Sequence, residues 1–228
     1  MRPSMSAELE HLAVLAASPE AYEILYQDDV LLVVNKPCQL LTVPGRHPEN
    51  RDCLISRVQR EFPGAQVVHR LDYDTSGIIL LPLTKRALSE LSKQFQARTI
   101  SKFYQARVGG QLANGQGKIN LPIAADQQRR PLYKICQHSG KASLTRYRVL
   151  SYRAADNSSL LELEPVTGRS HQLRLHLAAI GHPIIGDPFY APPALAEASP
   201  RLLLHAAQLS CQHPLTAKVL TFNASASF

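Results

Sequence analysis

The sequence predicts an α+β protein, because it is rich in strands and contains few helices. Short runs of Val, Ile, Leu, Tyr and Phe recur between clusters of Gly, Pro, Asn and Asp, which is the pattern of β-strands separated by turns. Three stretches have the three-to-four-residue apolar spacing of an amphipathic helix. A predominance of strands with three helices packed on one sheet favours the α+β class.

The first half of the chain is predicted to contain five strands and two helices. The strands are expected at residues 24–26, 30–34, 67–71, 78–83 and 103–108. Asp52 is predicted to cap a helix over residues 53–61. Thr84 is predicted to cap a longer helix that ends near Ala97.

The second half is predicted to be mostly strand, with one helix. The strands are expected at residues 118–123, 131–136, 143–152, 160–164, 202–209 and 219–222. Ser170 is predicted to cap the helix, with Leu173, Leu177 and Ile180 facing inward and Gly181 ending it.

No Pro-, Gly- or Ser-rich linker divides the 228 residues, and 45% of them are hydrophobic, so one domain with a substantial core is expected. Residues 1–21 are predicted to form a tail or short helix before a single catalytic domain at 22–228. No apolar run reaches the roughly 18–20 residues that span a bilayer, so no membrane association is predicted.

Charge and cysteine usage narrow the functional class. The chain has 25 Lys and Arg against 18 Asp and Glu, a formal charge of +7, which favours an anionic partner such as nucleic acid. The four cysteines are far apart in the sequence and form no C-x-x-C pair. A disulfide framework or zinc site is therefore not expected, and reduced thiols in the cytoplasm fit better.

The segment His69-Arg70-Leu71-Asp72-Tyr73-Asp74-Thr75-Ser76-Gly77 carries the densest chemistry in the chain. Arg70 and Asp72 are two residues apart, so they share a face if the backbone is extended. Charged groups between apolar runs are costly unless they pair or bind something. The pattern therefore leaves two interpretations open, a structural Arg–Asp pair and a functional site.

Further motifs favour the functional site. SKFYQA begins at Ser101, TGRSHQLRLH at Thr167, GHPIIGDPFY at Gly181 and RLLLHA at Arg201. Together with HRLDYDTSG, these motifs resemble those of the RluA family of pseudouridine synthases and occur in the same order. The resemblance extends from about Tyr22 to the C-terminus. It implies a mixed, mostly antiparallel sheet with flanking helices and a central catalytic cleft.

The resemblance also implies an activity, the isomerisation of uridine to pseudouridine in RNA, which needs no cofactor. It gives Asp72 the role of the catalytic carboxylate and makes Tyr104 and Arg169 the other catalytic residues. Arg169 is the candidate partner that keeps the Asp72 carboxylate ionised. Arg70 is expected to fill the gap left when the uridine flips out of the base stack. Asp74 is interpreted as a loop carboxylate.

The RNA surface is expected to consist of Lys and Arg side chains around the cleft. The candidates are Arg46, Lys102, Arg129, Arg130, Lys134 and Lys141. Residues 127–140 fall where members of this family carry a loop that grips the RNA. Leu132 and Tyr133 depart from the polar or basic residues expected there, which puts those RNA contacts and the choice of substrate in question.

Several alternatives remain open. The substrate is expected to be a tRNA anticodon stem-loop and a 23S rRNA hairpin, or only one of the two. A non-catalytic RNA-binding protein would carry a degraded HRLD motif, and a glycoside hydrolase usually needs a second, opposed carboxylate. A metal site is not expected, because His171 and His176 are five residues apart on a helix and no metal-binding motif accompanies them or His69. The protein is expected to act as a monomer.

Overall fold

A computed structural model describes residues 13–228, and the chain divides into two compact units. The first comprises residues up to Ala97 together with Gln212–Lys218, and the second comprises Arg98–Cys211 and Val219–Phe228. Most of the predicted N-terminal tail or helix lies outside the described residues. A single catalytic domain over residues 22–228 stays a prediction. No helix within residues 13–228 has both the length and the apolar character needed to cross a bilayer.

The first unit contains a three-stranded antiparallel sheet and two helices. Its elements are β1 (Glu23–Gln27), β2 (Leu31–Lys36), α1 (Leu54–Val58), β3 (Ser76–Pro82) and α2 (Lys85–Ala97). Strand β2 lies in the middle and pairs with both β1 and β3. All seven residues of β3 are buried, and Leu91 of α2 is also buried. The register opposes Lys36 to Gly77, so the end of β2 faces the beginning of β3.

Asp28 organises the turn between β1 and β2. One carboxylate oxygen accepts the N–H groups of Val30 and Leu31 at 2.9 and 2.8 Å. The other accepts the Tyr26 hydroxyl at 2.6 Å and lies 2.9 Å from Nε2 of His213. The segment Gln212–Lys218 is thus tied to the first hairpin of its unit.

The second unit contains two sheets. The strands of the larger sheet are β4 (Ser101–Gly109), β5 (Gln116–Asn120), β8 (Leu144–Arg153), β9 (Ser158–Pro165), β10 (Leu204–Gln212) and β11 (Val219–Asn223). They follow the order β10–β4–β9–β8–β5, and β11 pairs with β10. Strands β6 (Ile123–Ala125) and β7 (Tyr133–Ile135) form a separate antiparallel hairpin.

Helix α3 (Gln172–Ala179) contributes to the core of the second unit, and a short helix α4 (Pro193–Ala196) follows it. Leu173 and Leu177 belong to one buried cluster with Leu161 and Leu163 of β9. The predicted α+β class is confirmed. Ile180, expected to face inward, is 36% exposed because the helix ends just before it.

Three predicted elements differ in the structure. Residues 67–71 form no strand. The strand predicted at 118–123 is divided between β5 and β6, with Pro122, which has no N–H to donate to a ladder, in the gap. Helix α1 is shorter than predicted.

The predicted helix caps were partly wrong. Cys53, not Asp52, is the N-cap of α1, and its N–H donates to Ser56 Oγ at 3.0 Å. Asp52 instead pairs with Arg57 at 2.7 Å. Thr84 caps α2 as predicted, since its Oγ1 accepts the Ala87 N–H at 3.2 Å.

Candidate active site

The loop that carries Asp72 is irregular because side chains, and not a neighbouring strand, form hydrogen bonds with backbone groups in the loop and in β3. Nε2 of His69 accepts the N–H of Leu80 at 2.9 Å. Oγ1 of Thr42 donates to the Leu71 carbonyl at 2.8 Å and lies 3.2 Å from the Leu71 N–H. These contacts take the place of the strand predicted over residues 67–71.

Lys36 holds the other side of the loop. Its side chain is completely buried, and Nζ donates to the carbonyls of Pro37 at 2.8 Å, Leu40 at 2.7 Å and Tyr73 at 3.4 Å. The Leu40 N–H also donates to the Tyr73 carbonyl, at 3.1 Å. A buried ammonium group is tolerated only when its protons are hydrogen-bonded. Sequence reasoning missed Lys36, because a lysine at the end of a strand usually reaches solvent.

Asp72 therefore lies between two residues whose backbones are fixed, Leu71 and Tyr73. Its own carbonyl accepts the Thr75 N–H at 3.1 Å, and its side chain is partly exposed. Gly77, at φ 117°, takes a backbone conformation that other residues rarely adopt where the loop enters β3. The loop thus holds the backbone of Asp72 in place by hydrogen bonds on both sides.

Arg70 is exposed. The structural Arg–Asp pair considered from the sequence stays an untested alternative. An exposed guanidinium two residues from Asp72 remains available for a ligand.

In the second unit, Tyr104 lies on β4 opposite Leu163 of β9 and Ala206 of β10. Its ring packs against the buried cluster but is only partly buried. The strand thus holds the ring at the border of the core, where part of it can meet a ligand.

The turn that carries Arg169 is shaped by the buried side chain of Gln172. Its Oε1 accepts the Arg169 N–H at 3.1 Å and the Thr167 hydroxyl at 2.7 Å. Its Nε2 donates to the Leu144 carbonyl at 3.0 Å. His171, with φ 55°, is the N-cap of α3, so the predicted Ser170 cap was wrong.

Arg169 has an incompletely satisfied guanidinium. Among residues 13–228, its Nε is the one buried side-chain polar atom that lacks a hydrogen-bond partner. A buried donor without an acceptor is destabilising by about 1–3 kcal/mol. Such a cost is expected where a ligand supplies the missing acceptor.

A buried ion pair lies behind this turn. Arg174 of α3 donates from Nε and Nη2 to the two oxygens of Asp187, at 2.9 and 2.6 Å, and both side chains are at most 1% exposed. One Asp187 oxygen also accepts the N–H groups of Phe189 and Tyr190, at 2.9 and 3.3 Å. These residues were noticed in the sequence only as parts of motifs. In the sequence, an arginine placed between two leucines of a predicted helix, Leu173 and Leu175, was the feature that could have revealed the pair.

The two helix-associated histidines serve as hydrogen-bonding groups. His176 is buried, with Nδ1 2.9 Å from Thr145 Oγ1 and Nε2 2.9 Å from the Leu121 carbonyl. Burial lowers the pKa of His176. Within residues 13–228, no group of three or more His, Cys, Asp or Glu side chains is arranged to hold a metal ion.

Residues 123–141, which we call the arm, carry four of the predicted RNA-binding cations, Arg129, Arg130, Lys134 and Lys141. Its single carboxylate, Asp126, is buried and accepts Arg129 Nε at 2.9 Å, with Lys134 Nζ at 3.8 Å. The hydrogen bond from Arg129 lowers the pKa of Asp126. Arg129 nevertheless remains 71% exposed and Lys134 49% exposed, so the arm presents net positive charge.

The other predicted RNA contacts differ in exposure. Arg46 is exposed on a loop of the first unit. Lys102 lies on β4 of the second unit and is half-buried, and this burial lowers its pKa. Lys141 is exposed at the base of the arm.

Replacing Lys36 with Met should lower the free energy of unfolding by about 1–3 kcal/mol, because the buried carbonyls of Pro37 and Leu40 lose the Nζ donor. Urea unfolding monitored by circular dichroism measures the change. Lys93→Met is the matched control, because Lys93 is 66% exposed and forms a surface pair with Glu90; it should change stability by less than about 0.5 kcal/mol. Equal stability of Lys36→Met and wild type would contradict this role.

Cys136 of the arm should react as a thiolate near neutral pH. A hydrogen bond with the Ser139 hydroxyl, assisted by backbone N–H groups and Lys134, lowers its pKa to about 7. Burial raises the pKa of Cys211 to about 11. A lowered pKa means that the thiolate fraction increases as the pH passes through 7, so iodoacetamide labelling of Cys136 should have its midpoint there.

Mass spectrometry of labelled peptides across a pH series measures that midpoint. Ser139→Ala should move it upward, and the buried Cys38, Cys53 and Cys211 should label only after unfolding. A wild-type midpoint above about 8.5, the value of an ordinary thiol, would show that the Ser139 contact is not formed in solution.

Comparison with known proteins identifies the family of the chain. Residues 30–179 match the family described as RNA pseudouridylate synthase. The chain is 50% identical over 205 residues to the dual-specificity RNA pseudouridine synthase RluA of Escherichia coli K12, covering 90% of this chain and 93% of that protein. It is also 50% identical to RluA of Yersinia pestis, covering 90% and 99%.

Solved structures agree as well. The human RNA pseudouridylate synthase domain containing 1 superposes with a TM-score of 0.77 at 30% identity, covering 93% of this chain and 86% of that one. The family match spans more than half of the chain, and the two RluA proteins are 50% identical to it over 90% of its length. The chain therefore belongs to the RNA pseudouridylate synthase family.

Proposed function

We propose that this protein isomerises specific uridines to pseudouridine in two kinds of structured RNA, a tRNA anticodon stem-loop and a 23S rRNA hairpin. The observation that carries this proposal is 50% identity, over 90% of the chain, to relatives named as dual-specificity RNA pseudouridine synthases. A single class of RNA, tRNA or rRNA alone, is the alternative. We expect the protein to act as a cytoplasmic monomer.

The reaction breaks the bond between N1 of uracil and C1′ of ribose, turns the base, and joins C5 to C1′. The proton on C5 is lost and N1 gains one, so the product has the same mass as the substrate. No electrons are exchanged with another molecule, which is why no cofactor is proposed.

We propose Asp72 as the carboxylate that starts the reaction. It could attack C1′, remove a sugar proton or add to the base. The backbone contacts on both sides of Asp72 support each of these roles, because a reacting group must be held within a fraction of an ångström of its target. Arg70 is the proposed wedge that replaces the flipped uridine, and its exposure supports a role in contacting RNA.

Tyr104 and Arg169 are the other proposed catalytic residues. The partly exposed ring of Tyr104 is suited to stacking on a uracil, and its hydroxyl to assisting proton movement at C5. The unpartnered Nε of Arg169 supports a role in holding negative charge during the reaction. The exposed cations Arg46, Arg129, Arg130, Lys134 and Lys141, with the half-buried Lys102, are proposed to contact RNA phosphates.

Asp72→Asn should abolish pseudouridine formation while RNA binding survives, because asparagine keeps the shape of the side chain but loses its charge. Tritium release from C5-labelled anticodon stem-loop and 23S hairpin transcripts measures turnover. Asp74→Asn, two residues away on the same loop, is the control and should keep activity within about tenfold of wild type. Turnover by Asp72→Asn within that range would overturn the assignment.

Arg169→Lys should recover only part of the activity, because lysine provides charge but no Nε donor and no planar fork. We expect a loss of at least about a hundredfold in kcat for Arg169→Ala and a smaller loss for Arg169→Lys. Arg148→Lys is the control, since Arg148 forms an exposed pair with Glu162. Full activity of Arg169→Lys would make Arg169 a general charge contact.

A further inference from the structure

One hydroxyl group connects the arm to the turn that begins α3. The Tyr190 hydroxyl accepts the N–H of Tyr133, the first residue of β7, at 2.9 Å. The same oxygen lies 2.7 Å from Nδ1 of His171. The direction of this second hydrogen bond depends on the tautomer of His171. The Tyr133 N–H, the Tyr190 hydroxyl and the His171 ring thus form a hydrogen-bond network from the arm to the N-cap of α3.

Within this hydrogen-bond network, the backbone of Tyr190 is held by a buried ion pair. Asp187 accepts the Tyr190 N–H and is itself held by the buried Arg174. Tyr190 is thus fixed to α3 through its backbone, and its hydroxyl reaches back to His171 at the beginning of the same helix. The hydroxyl is therefore placed independently of the arm.

Ring contacts surround the hydroxyl. The His171 ring packs edge-on to Tyr133 with centroids 5.1 Å apart, and stacks on Phe189 at 5.7 Å. Tyr133 is one of the residues that depart from the polar or basic character expected in this loop. In this chain it contributes an aromatic contact at the base of the hairpin.

We propose that Tyr190 is a positioning residue that sets the orientation of the arm for binding RNA. The arm presents exposed Arg129, Arg130, Lys134 and Lys141 around one buried carboxylate, so its partner is expected to be a phosphate backbone. Several phosphate contacts form together only if the hairpin that carries the cations is held in one orientation. This inference rests on the proposed function, because it assumes that the anionic partner is the substrate RNA.

Loss of the Tyr190 hydroxyl should weaken RNA binding without slowing the chemical step. The Arg169 turn is also held by the Gln172 side chain, whose Oε1 accepts the Arg169 N–H and the Thr167 hydroxyl. Loss of the Tyr190 hydroxyl removes the contact with His171 but leaves these Gln172 hydrogen bonds in place.

The test compares Tyr190→Phe with wild type as full-length proteins. Phenylalanine keeps the ring and the Arg174–Asp187 pair but removes both hydrogen bonds of the hydroxyl. We expect the Kd for an anticodon stem-loop hairpin to rise about tenfold, with kcat within about twofold of wild type. The slope of log Kd against log salt should become shallower, because fewer phosphates are neutralised at once.

Two control variants separate positioning from general destabilisation. Tyr152→Phe removes a hydroxyl that bonds Asn157 at 3.0 Å in the same unit, and Tyr133→Phe keeps the backbone N–H that Tyr190 accepts. Both should bind the hairpin like wild type. Amide hydrogen exchange provides a readout that needs no RNA: the Tyr133 amide should exchange faster in Tyr190→Phe, whereas that of Leu161 in β9 should not change.

An unchanged Kd and salt slope in Tyr190→Phe would overturn the proposal, as would an equal loss of affinity in Tyr152→Phe. A fall in kcat at unchanged Kd would place Tyr190 with the chemistry instead. If wild type bound the hairpin but formed no pseudouridine, the proposed function would fail, while the binding and exchange measurements would still decide the role of Tyr190.

Discussion

The ammonium group of Lys36 joins three backbone carbonyls in the interior of the first unit. Two of them follow β2 directly, and the third belongs to Tyr73, next to Asp72. A buried charge is tolerated only while all its protons have acceptors, so any displacement of the loop would expose the ion to an apolar surrounding. The contact from Nζ to the Tyr73 carbonyl thus ties the loop that carries Asp72 to the end of β2.

In the second unit, helix α3 also places buried polar side chains where they hydrogen-bond to neighbouring loops. Gln172, Arg174 and His176 alternate with leucines along the helix and are all buried. Their polar groups hold the Arg169 turn, the Asp187 turn and the backbone at Leu121, two residues before the arm. The leucines meanwhile anchor the helix in the apolar cluster. A helix with two buried faces can position several loops at once, which an ordinary amphipathic helix with one solvated face cannot do.

Prediction from the sequence succeeded where local spacing and capping determine the secondary structure. It failed where side chains, in place of a neighbouring strand, form the hydrogen bonds of the backbone. Most strands were predicted within a few residues, and the Thr84 cap was correct, because spacing and capping are local properties. The strand at 67–71 failed because Thr42 and His69, one of them distant in sequence, take over its hydrogen bonds. Lys36 and Arg174 were missed because local spacing does not reveal a partner far along the chain, Tyr73 for Lys36 at 37 positions and Asp187 for Arg174 at 13. Motif resemblance pointed to Asp72, Tyr104 and Arg169, but could not indicate that Arg169 Nε lacks a partner.

The chain passes between its two compact units three times, after Ala97, after Cys211 and after Lys218. The seven-residue return, Gln212–Lys218, delivers His213 to Asp28 at the first hairpin, 185 positions earlier in the sequence. Neither unit is therefore a continuous stretch of the gene. A fragment that stops at Ala97 would lack the imidazole that completes its own first turn. In recombination with a relative, a single crossover anywhere between positions 28 and 213 would draw the two residues of this pair from different parents.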